Sequence, residues 1–222
     1  MENIARPCIV WGATGQAKVD YDILETEGVM IIHFFENNKN VTSPIDGVPI
    51  SYGLKGLINF IDTLDGQHLR PGDIDCISAI GGGNGEDRES MARLMEANGF
   101  KSRSVIHKSA IISPLSKIGS NVQVLAGSIV GAFASIGNNT IINTGANVDH
   151  DCIIGRNCHL GPRATLAGEV IVEDNSFIGT NATILPQKRI CMGSLVGAGA
   201  VVTKDVATGA IVVGNPARIL VK

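Results

Sequence analysis

Beginning at Ile106 and stepping by six, the chain carries Ile106, Ile112, Ile118, Val124, Val130, Ile136, Ile142, Val148, Ile154, Leu160, Leu166, Val172, Ile178, Ile184, Ile190, Val196 and Val202, all of them aliphatic. Since 60 of the 222 residues are Ile, Val or Leu, a column this long fills a fixed register by chance on the order of once in a billion, and an internal repeat is the first reading. A second column, four residues after the first, runs from Ala110 through Cys152 and Cys158 to Ala200 and is nearly all small, with Lys188 as its long exception. Period six suits neither a helix nor simple strand alternation. It is the signature of a parallel β-helix, in which each hexad is a short strand and a corner, and stacked coils bury a column that no single repeat could bury. Three hexads per triangular coil give about six coils.

Gly follows the aliphatic residue at Gly119, Gly131, Gly137, Gly155, Gly161, Gly179 and Gly197. Such glycines are expected where the backbone turns with positive φ or passes close to a neighbouring coil. Before the repeat the pattern changes. Pro7 to Trp11 is a short apolar strand, Gly12-Ala13-Thr14-Gly15 a turn, Gln16 to Glu27 a helical stretch, and Val29 to Phe35 the next strand. Asp73 to Ile80 enters Gly81-Gly82-Gly83, and a helix with Met91, Leu94 and Met95 on one face follows. Strand, glycine turn, helix and strand make a βαβ unit, so residues 1–103 are expected to form a small parallel α/β domain and residues 104–222 the β-helix.

Composition narrows the chemistry. Lys plus Arg is 18 against Asp plus Glu 21, a net charge of −3, so there is no basic field for nucleic acid or an anionic membrane. Aromatics are only 4% and Gly numbers 27, which predicts a core of small repeated pieces rather than large rings. No apolar run approaches a membrane span, the start Met-Glu-Asn-Ile-Ala-Arg does not read as a signal peptide, and five cysteines without CxxC spacing fit a reducing compartment. A cytoplasmic protein without disulfides is the expectation.

His150 and Asp151 are adjacent, two and three residues past inward Val148. Imidazole titrates near neutrality and an acidic partner fixes its tautomer, so the pair reads either as a general base with its orienting carboxylate or as decoration of an exposed corner. His150 with Cys152, Cys158 and His159 also looks like a zinc cluster on paper. The register argues against that, because both cysteines fall in the inward column while the histidines fall in other columns, so four tetrahedral ligands would not converge. A three-His zinc site across subunits, as in a hexapeptide carbonic anhydrase, is the rival reading. The turn from Gly12 to Gln16 stands where a helix N-terminus could receive a diphosphate, although it is not GxGxxG.

The Gly-x-x-Gly turn, His107-Lys108-Ser109-Ala110, the hexapeptide run, His150-Asp151 and the closing Val213-Gly214-Asn215-Pro216-Ala217 together resemble the acyltransferases that modify nucleotide-linked sugars. These include the UDP-4-amino-sugar N-acetyltransferase of the bacillosamine pathway, GDP-perosamine N-acetyltransferase and the sialic acid O-acetyltransferase group. The resemblance covers essentially the whole chain. It implies a Rossmann-like domain before a left-handed β-helix with a C-terminal cap, a homotrimer with sites between subunits, and direct acetyl transfer in polysaccharide biosynthesis without metal.

By the same resemblance His150 is the base and Asp151 its partner, while His159, Gly168, Thr180 and Ala198 contact acetyl-CoA along the outside of the helix. Lys204, with Lys188, Arg189 and Arg218, is a candidate for the phosphates. Substrate contacts fall on Gly12, Thr14, Gly15, Gln16, Glu36, Asn37, Gly82 and Asn84. The family commonly has His at Gln16 and two Asp at Glu36-Asn37, departures that bear on which nucleotide is bound. The acceptor is expected to be the amine of a nucleotide-linked 4-amino-4,6-dideoxy sugar. Sugar O-acetylation and a non-catalytic scaffold or nucleotide-sugar sensor are the alternatives.

Overall fold

The computed structural model describes residues 6–220. It divides into two compact units, one of residues up to 81 together with 87–103, the other of residues 82–86 together with those from 104 on. The division at 103/104 falls where the hexad pattern begins. The assignment of 82–86 to the second unit is invisible in that pattern.

In the first unit, β1 (Cys8–Trp11), α1 (Gly15–Thr26), β2 (Ile31–Glu36), β3 (Ile50–Tyr52), α2 (Gly53–Leu64), β4 (Asp75–Ser78), α3 (Gly85–Ala97) and β5 (Lys101–Ser102) follow one another. The strands form one sheet in the order β3-β2-β1-β4-β5, every pair parallel. From β1 the chain winds outward through β2 and β3, then returns to add β4 on the other side, so the strand order reverses between β1 and β4. In open parallel sheets that switch point, at the carboxyl ends of the strands, is where a crevice opens. The turns after β1 and β4 are the two glycine-rich segments read from the sequence.

The sequence reading left α2 and β3 without elements. Leu57, Phe60 and Leu64, spaced three and four apart and buried with Gly56, are the helical stripe that marks α2. The core of this unit also corrects an expectation. Trp11 stacks on Phe35 at 5.5 Å, Phe35 meets Phe60 edge-on at 5.5 Å, and Phe60 and Phe100 lie 6.4 Å apart. The few aromatics of the chain are gathered here, a concentration that a whole-chain average hides.

In the second unit, strands β6 (Val105–Ile106) to β22 (Val201–Val202) recur every six residues, each two residues long. Strands eighteen residues apart pair in parallel, for example Ile141 with His159 and Ile142 with Leu160, which makes three residue columns into three sheets. β23 (Ile211–Val213) continues one sheet, and β24 (Arg218–Ile219) closes it antiparallel. The column from Val124 to Val202 is buried throughout and packs with the small column, including Cys152 and Cys158. Ile106 is exposed and Ile112 and Ile118 only partly covered, because the first coil has no coil beneath it. Lys188, the exception in the small column, is half-buried.

The glycines after the aliphatic column answer to the second of their two expected reasons. None of them has positive φ. A Cβ on Gly137 would stand 2.5 Å from the Gly155 carbonyl carbon, and one on Gly179 would stand 2.6 Å from the Ala198 nitrogen. The left-handed residue instead comes three positions after the aliphatic one, at every hexad from Asn121 to Gly199. Asn occupies many of these corners because its short amide tolerates that conformation. Asn121, Asn139, Asn157 and Asn175 stack as a ladder, each amide donating to the next at 2.6, 3.3 and 2.9 Å.

Candidate active site

His150 follows β13 (Asn147–Val148), and Asp151 is the left-handed corner residue behind it, with φ of 57°. That conformation turns the carboxylate back on the ring, and His150 Nδ1 lies 2.9 Å from Asp151 Oδ2. The imidazole is 54% exposed. Its pKa is raised, first by the hydrogen bond to Asp151, against an opposing effect of burial, with smaller help from Asp149 and Glu169. The carboxylate makes Nδ1 the protonated nitrogen, leaving the lone pair on Nε2. Gly168, one coil further, lies against that edge of the ring: a Cβ there would stand 2.5 Å from Nε2 and 2.6 Å from Cε1. Gly168 therefore shapes the seat of the histidine.

His159, on β15 (His159–Leu160), is 6% exposed. Its Nε2 accepts from Asn143 Nδ2 at 3.0 Å, its Nδ1 lies 3.3 Å from the Gly82 carbonyl, and its ring meets Phe177 edge-on at 5.4 Å. The carbonyl can only accept, so Nδ1 donates. The same short segment is anchored again where Asn175 Nδ2 donates to Glu86 Oε1 at 3.3 Å, at the end of the asparagine ladder. His159 is thus hydrogen-bonded to the Gly82 peptide; the family resemblance gives it a contact with acetyl-CoA.

Thr180 and Ala198 are both exposed and stand one above the other, with Gly179 passing tightly beneath Ala198. They sit beside the Asn181 corner, whereas His150 and Gly168 sit beside the Asp151 and Glu169 corners. Successive corners of one triangular column separate these pairs, so one chain does not bring Gly168 together with Thr180 and Ala198. Lys204 and Arg218 do come together, lining a cavity of about 250 Å³ at the end of the β-helix with Thr203, Asp205 and Ile219. Arg189 is occupied by Glu173 at 2.7 Å.

At the switch point, Gly12 (φ 105°) passes so close to β4 that a Cβ would meet the Ala79 carbonyl oxygen at 2.6 Å. Thr14 precedes α1 without capping it by its side chain, so the first-turn amides of α1, from Gly15 and Gln16 onward, keep no side-chain partner from that residue. Glu36 holds the turn from the end of β2: Oε2 accepts the Ala13 amide at 3.2 Å, and Oε1 those of Asn37 and Asn38 at 2.8 and 3.2 Å. Asn37 and Asn84 are exposed.

Sequence reading missed three residues near these sites. Asp20 and Arg88 are wholly buried charges in the first unit, and burial pushes the Asp20 carboxyl up to about 7 against the pull of Gln16 and Arg88. Phe133 is 63% exposed in the left-handed region at φ 61°; the carbonyl of its neighbour Ala132 accepts the Asp151 amide at 3.0 Å. A bulky residue at positive φ is costly, but only the corner register reveals it.

Cys152 and Cys158 are buried, their thiols donating to the carbonyls of Ala167 and Glu173 at 3.2 Å each. Burial pushes the Cys152 thiol up to about 11. Among the described residues no group of three or more His, Cys, Asp or Glu is placed to hold a metal ion, and no helix is long and apolar enough to cross a membrane.

The chain matches the family model described as bacterial transferase hexapeptide (six repeats) over residues 133–168. No curated protein sequence matches it. Among solved structures it is similar to a histidine-to-asparagine variant of perosamine N-acetyltransferase from Caulobacter crescentus in complex with CoA and GDP-perosamine, with 33% identity over 97% of each chain and a TM-score of 0.85. It is also similar to the acetyltransferase domain of PglB from Neisseria gonorrhoeae FA1090 in complex with acetyl coenzyme A, with 31% identity over 97% of this chain and 100% of that one and a TM-score of 0.81. WeeI from Acinetobacter baumannii AYE is 29% identical over 96% and 99% of the two chains, with a TM-score of 0.82.

Proposed function

The chain belongs to the hexapeptide acyltransferases that N-acetylate nucleotide-linked amino sugars, and from that premise we propose that His150 is the general base with which it transfers acetyl from acetyl-CoA to a sugar amine. The observation that carries this role is the 2.9 Å pair of His150 Nδ1 and Asp151 Oδ2 on an exposed corner, with Nε2 left to accept a proton.

The neutral amine attacks the thioester carbonyl carbon. His150 Nε2 takes the proton that the nitrogen must lose, and Asp151 stabilises the imidazolium. The C–S bond breaks, and the proton passes from imidazolium to the departing thiolate, leaving CoA thiol, the amide and a neutral histidine. No covalent enzyme intermediate is required, and atoms and charge balance over one turnover.

The sugar carries its nucleotide to the first unit, which we read as Rossmann-like. There the Gly12 to Gln16 turn at the switch point takes the diphosphate on the N-terminus of α1, with Glu36 and Asn37 as further contacts. The acceptor we assign is a 4-amino-4,6-dideoxy sugar of polysaccharide biosynthesis, handled in the cytoplasm where acetyl-CoA is made. The separation of the His150 and Gly168 edge from the Thr180 and Ala198 edge supports a homotrimer of left-handed β-helices. In it acetyl-CoA lies between the first edge of one subunit and the second edge of the next, with Lys204 near its phosphates. The test is turnover of acetyl-CoA on UDP-, GDP- and dTDP-linked amino sugars, with mass spectrometry of the product. Acetylation of the amine with loss of kcat in His150→Ala supports the reading. Turnover on hydroxyl acceptors alone, or on none of the panel, overturns it.

A further inference from the structure

We propose that Asp20 and Arg88 form a buried brace that positions the turn after β1 and the chain leaving β4, and thereby sets affinity for the nucleotide-linked substrate. This rests on the reading above, in which the turn after β1 receives the nucleotide.

Both side chains are wholly buried. Asp20 lies one turn into α1, and its Oδ1 accepts from Gln16 Nε2 at 3.0 Å, fixing the side chain at the mouth of the first turn. Among the described residues its other oxygen has no hydrogen-bond partner. Arg88 enters from α3, and its Nη1 donates to the Ile80 carbonyl at 2.6 Å, the last peptide before Gly81. Between the two segments, Gly12 lies directly on the Ala79 carbonyl.

The chain is therefore tied at Gln16 to one wholly buried acidic side chain and at Ile80 to one wholly buried basic side chain. Burying an acidic and a basic side chain is poor stabilisation, since apolar residues of similar volume often do as well or better. Its use is geometric. It orients Gln16, a predicted substrate contact, and holds the peptide that launches the second glycine segment. Asp20 and Arg88 are positioning residues: they act through Gln16 and Ile80.

The test compares wild type with Asp20→Asn, Arg88→Gln and the double variant. The double variant removes both charges, leaves neither buried alone, and keeps the experiment decisive should a single variant unfold. Binding of UDP, GDP and dTDP is measured by calorimetry, and KM for the amino sugar nucleotide, KM for acetyl-CoA and kcat are measured by turnover. In the folded double variant the nucleotide Kd and the sugar-nucleotide KM should rise about tenfold, while kcat and the acetyl-CoA KM stay within about twofold, as expected when binding geometry alone is lost. Unchanged nucleotide affinity, or a parallel loss in acetyl-CoA KM and kcat, overturns the proposal and leaves the catalytic reading standing. A wild-type protein that binds none of the three diphosphates and acetylates none of the sugars overturns that reading and this role with it.

Discussion

Gly168→Ala is the sharpest probe of how His150, the proposed base, is held. The new methyl would stand 2.5 Å from His150 Nε2, 2.6 Å from Cε1 and 3.3 Å from Cδ2, whereas non-bonded heavy atoms rest at about 3.5–4.0 Å. The ring must therefore retreat by about 1 Å. It can do so, because its side chain is 54% exposed, and Gly168 does not occupy the left-handed region, so alanine adds no backbone strain there. The fold should survive with a melting temperature within about 2 °C of wild type, a surface change of small energy. The imidazole, however, shifts relative to Asp151 and to the acceptor nitrogen, and a 1 Å misplacement of a reacting group costs about 10²-fold. Following release of CoA thiol with a disulfide dye, kcat should fall about a hundredfold. In a His150→Ala background the same substitution should add almost nothing, since its effect passes through the ring. If Gly168→Ala instead raises the acetyl-CoA KM at constant kcat, and does so equally in both backgrounds, Gly168 touches the cofactor and the seat assigned to His150 is refuted.

The remaining predictions concern the rest of the site and its support. Asp151 raises the His150 pKa and the base must be neutral, so kcat/KM should fall as pH drops through that raised value. Asp151→Asn should move this acidic limb to lower pH while lowering the plateau, and an unmoved limb would detach the two residues. Gly85→Ala would drive a methyl into the Asn157 carbonyl oxygen, backbone that cannot step aside. It should cost about 1–3 kcal/mol in thermal unfolding and expose residues 82–86 to proteolysis, so an unchanged melting curve and digest would count against the contact. Exhaustive chelation should leave activity intact, and one tightly bound zinc per chain with loss of turnover on its removal would overturn the assignment of Cys152 and Cys158 to the core.

The β-helix was readable because every hexad repeats the same physical demand: one aliphatic inward, one small residue beside it, one corner. Seventeen repetitions leave no other period that fits. Its glycines were readable only in part. A positive φ and a close backbone approach both select Gly, and the sequence cannot separate them. The corner register could have done so, since Asn121, Asn139, Asn157 and Asn175 mark left-handed positions by their own chemistry. In the first unit a single occurrence of each element gave no such redundancy, and Leu57, Phe60 and Leu64 passed unread.

The site divides along the same line. His150 and Asp151 are neighbours in sequence, so a pairing that depends on one left-handed corner could be anticipated from adjacency. The partners of His159 are Asn143, at sixteen residues, and Gly82, at seventy-seven. Nothing local announces that a histidine in the outward position of a hexad will be covered, and exposure was the natural assumption for a coil surface. Once covered, it has a hydrogen-bond partner at each nitrogen, which fits a supporting role and fits the proposal that proton transfer falls to His150. That difference gives a last discriminating result. His159→Asn can still donate to the Gly82 carbonyl, and His159→Ala cannot. If His159 supports the segment, the asparagine variant should keep wild-type acetyl-CoA KM and resistance to proteolysis at residues 82–86, while the alanine variant loses the resistance. If both variants raise the acetyl-CoA KM alike and leave the digest unchanged, His159 acts on the cofactor after all, and the hydrogen bond to Gly82 is incidental.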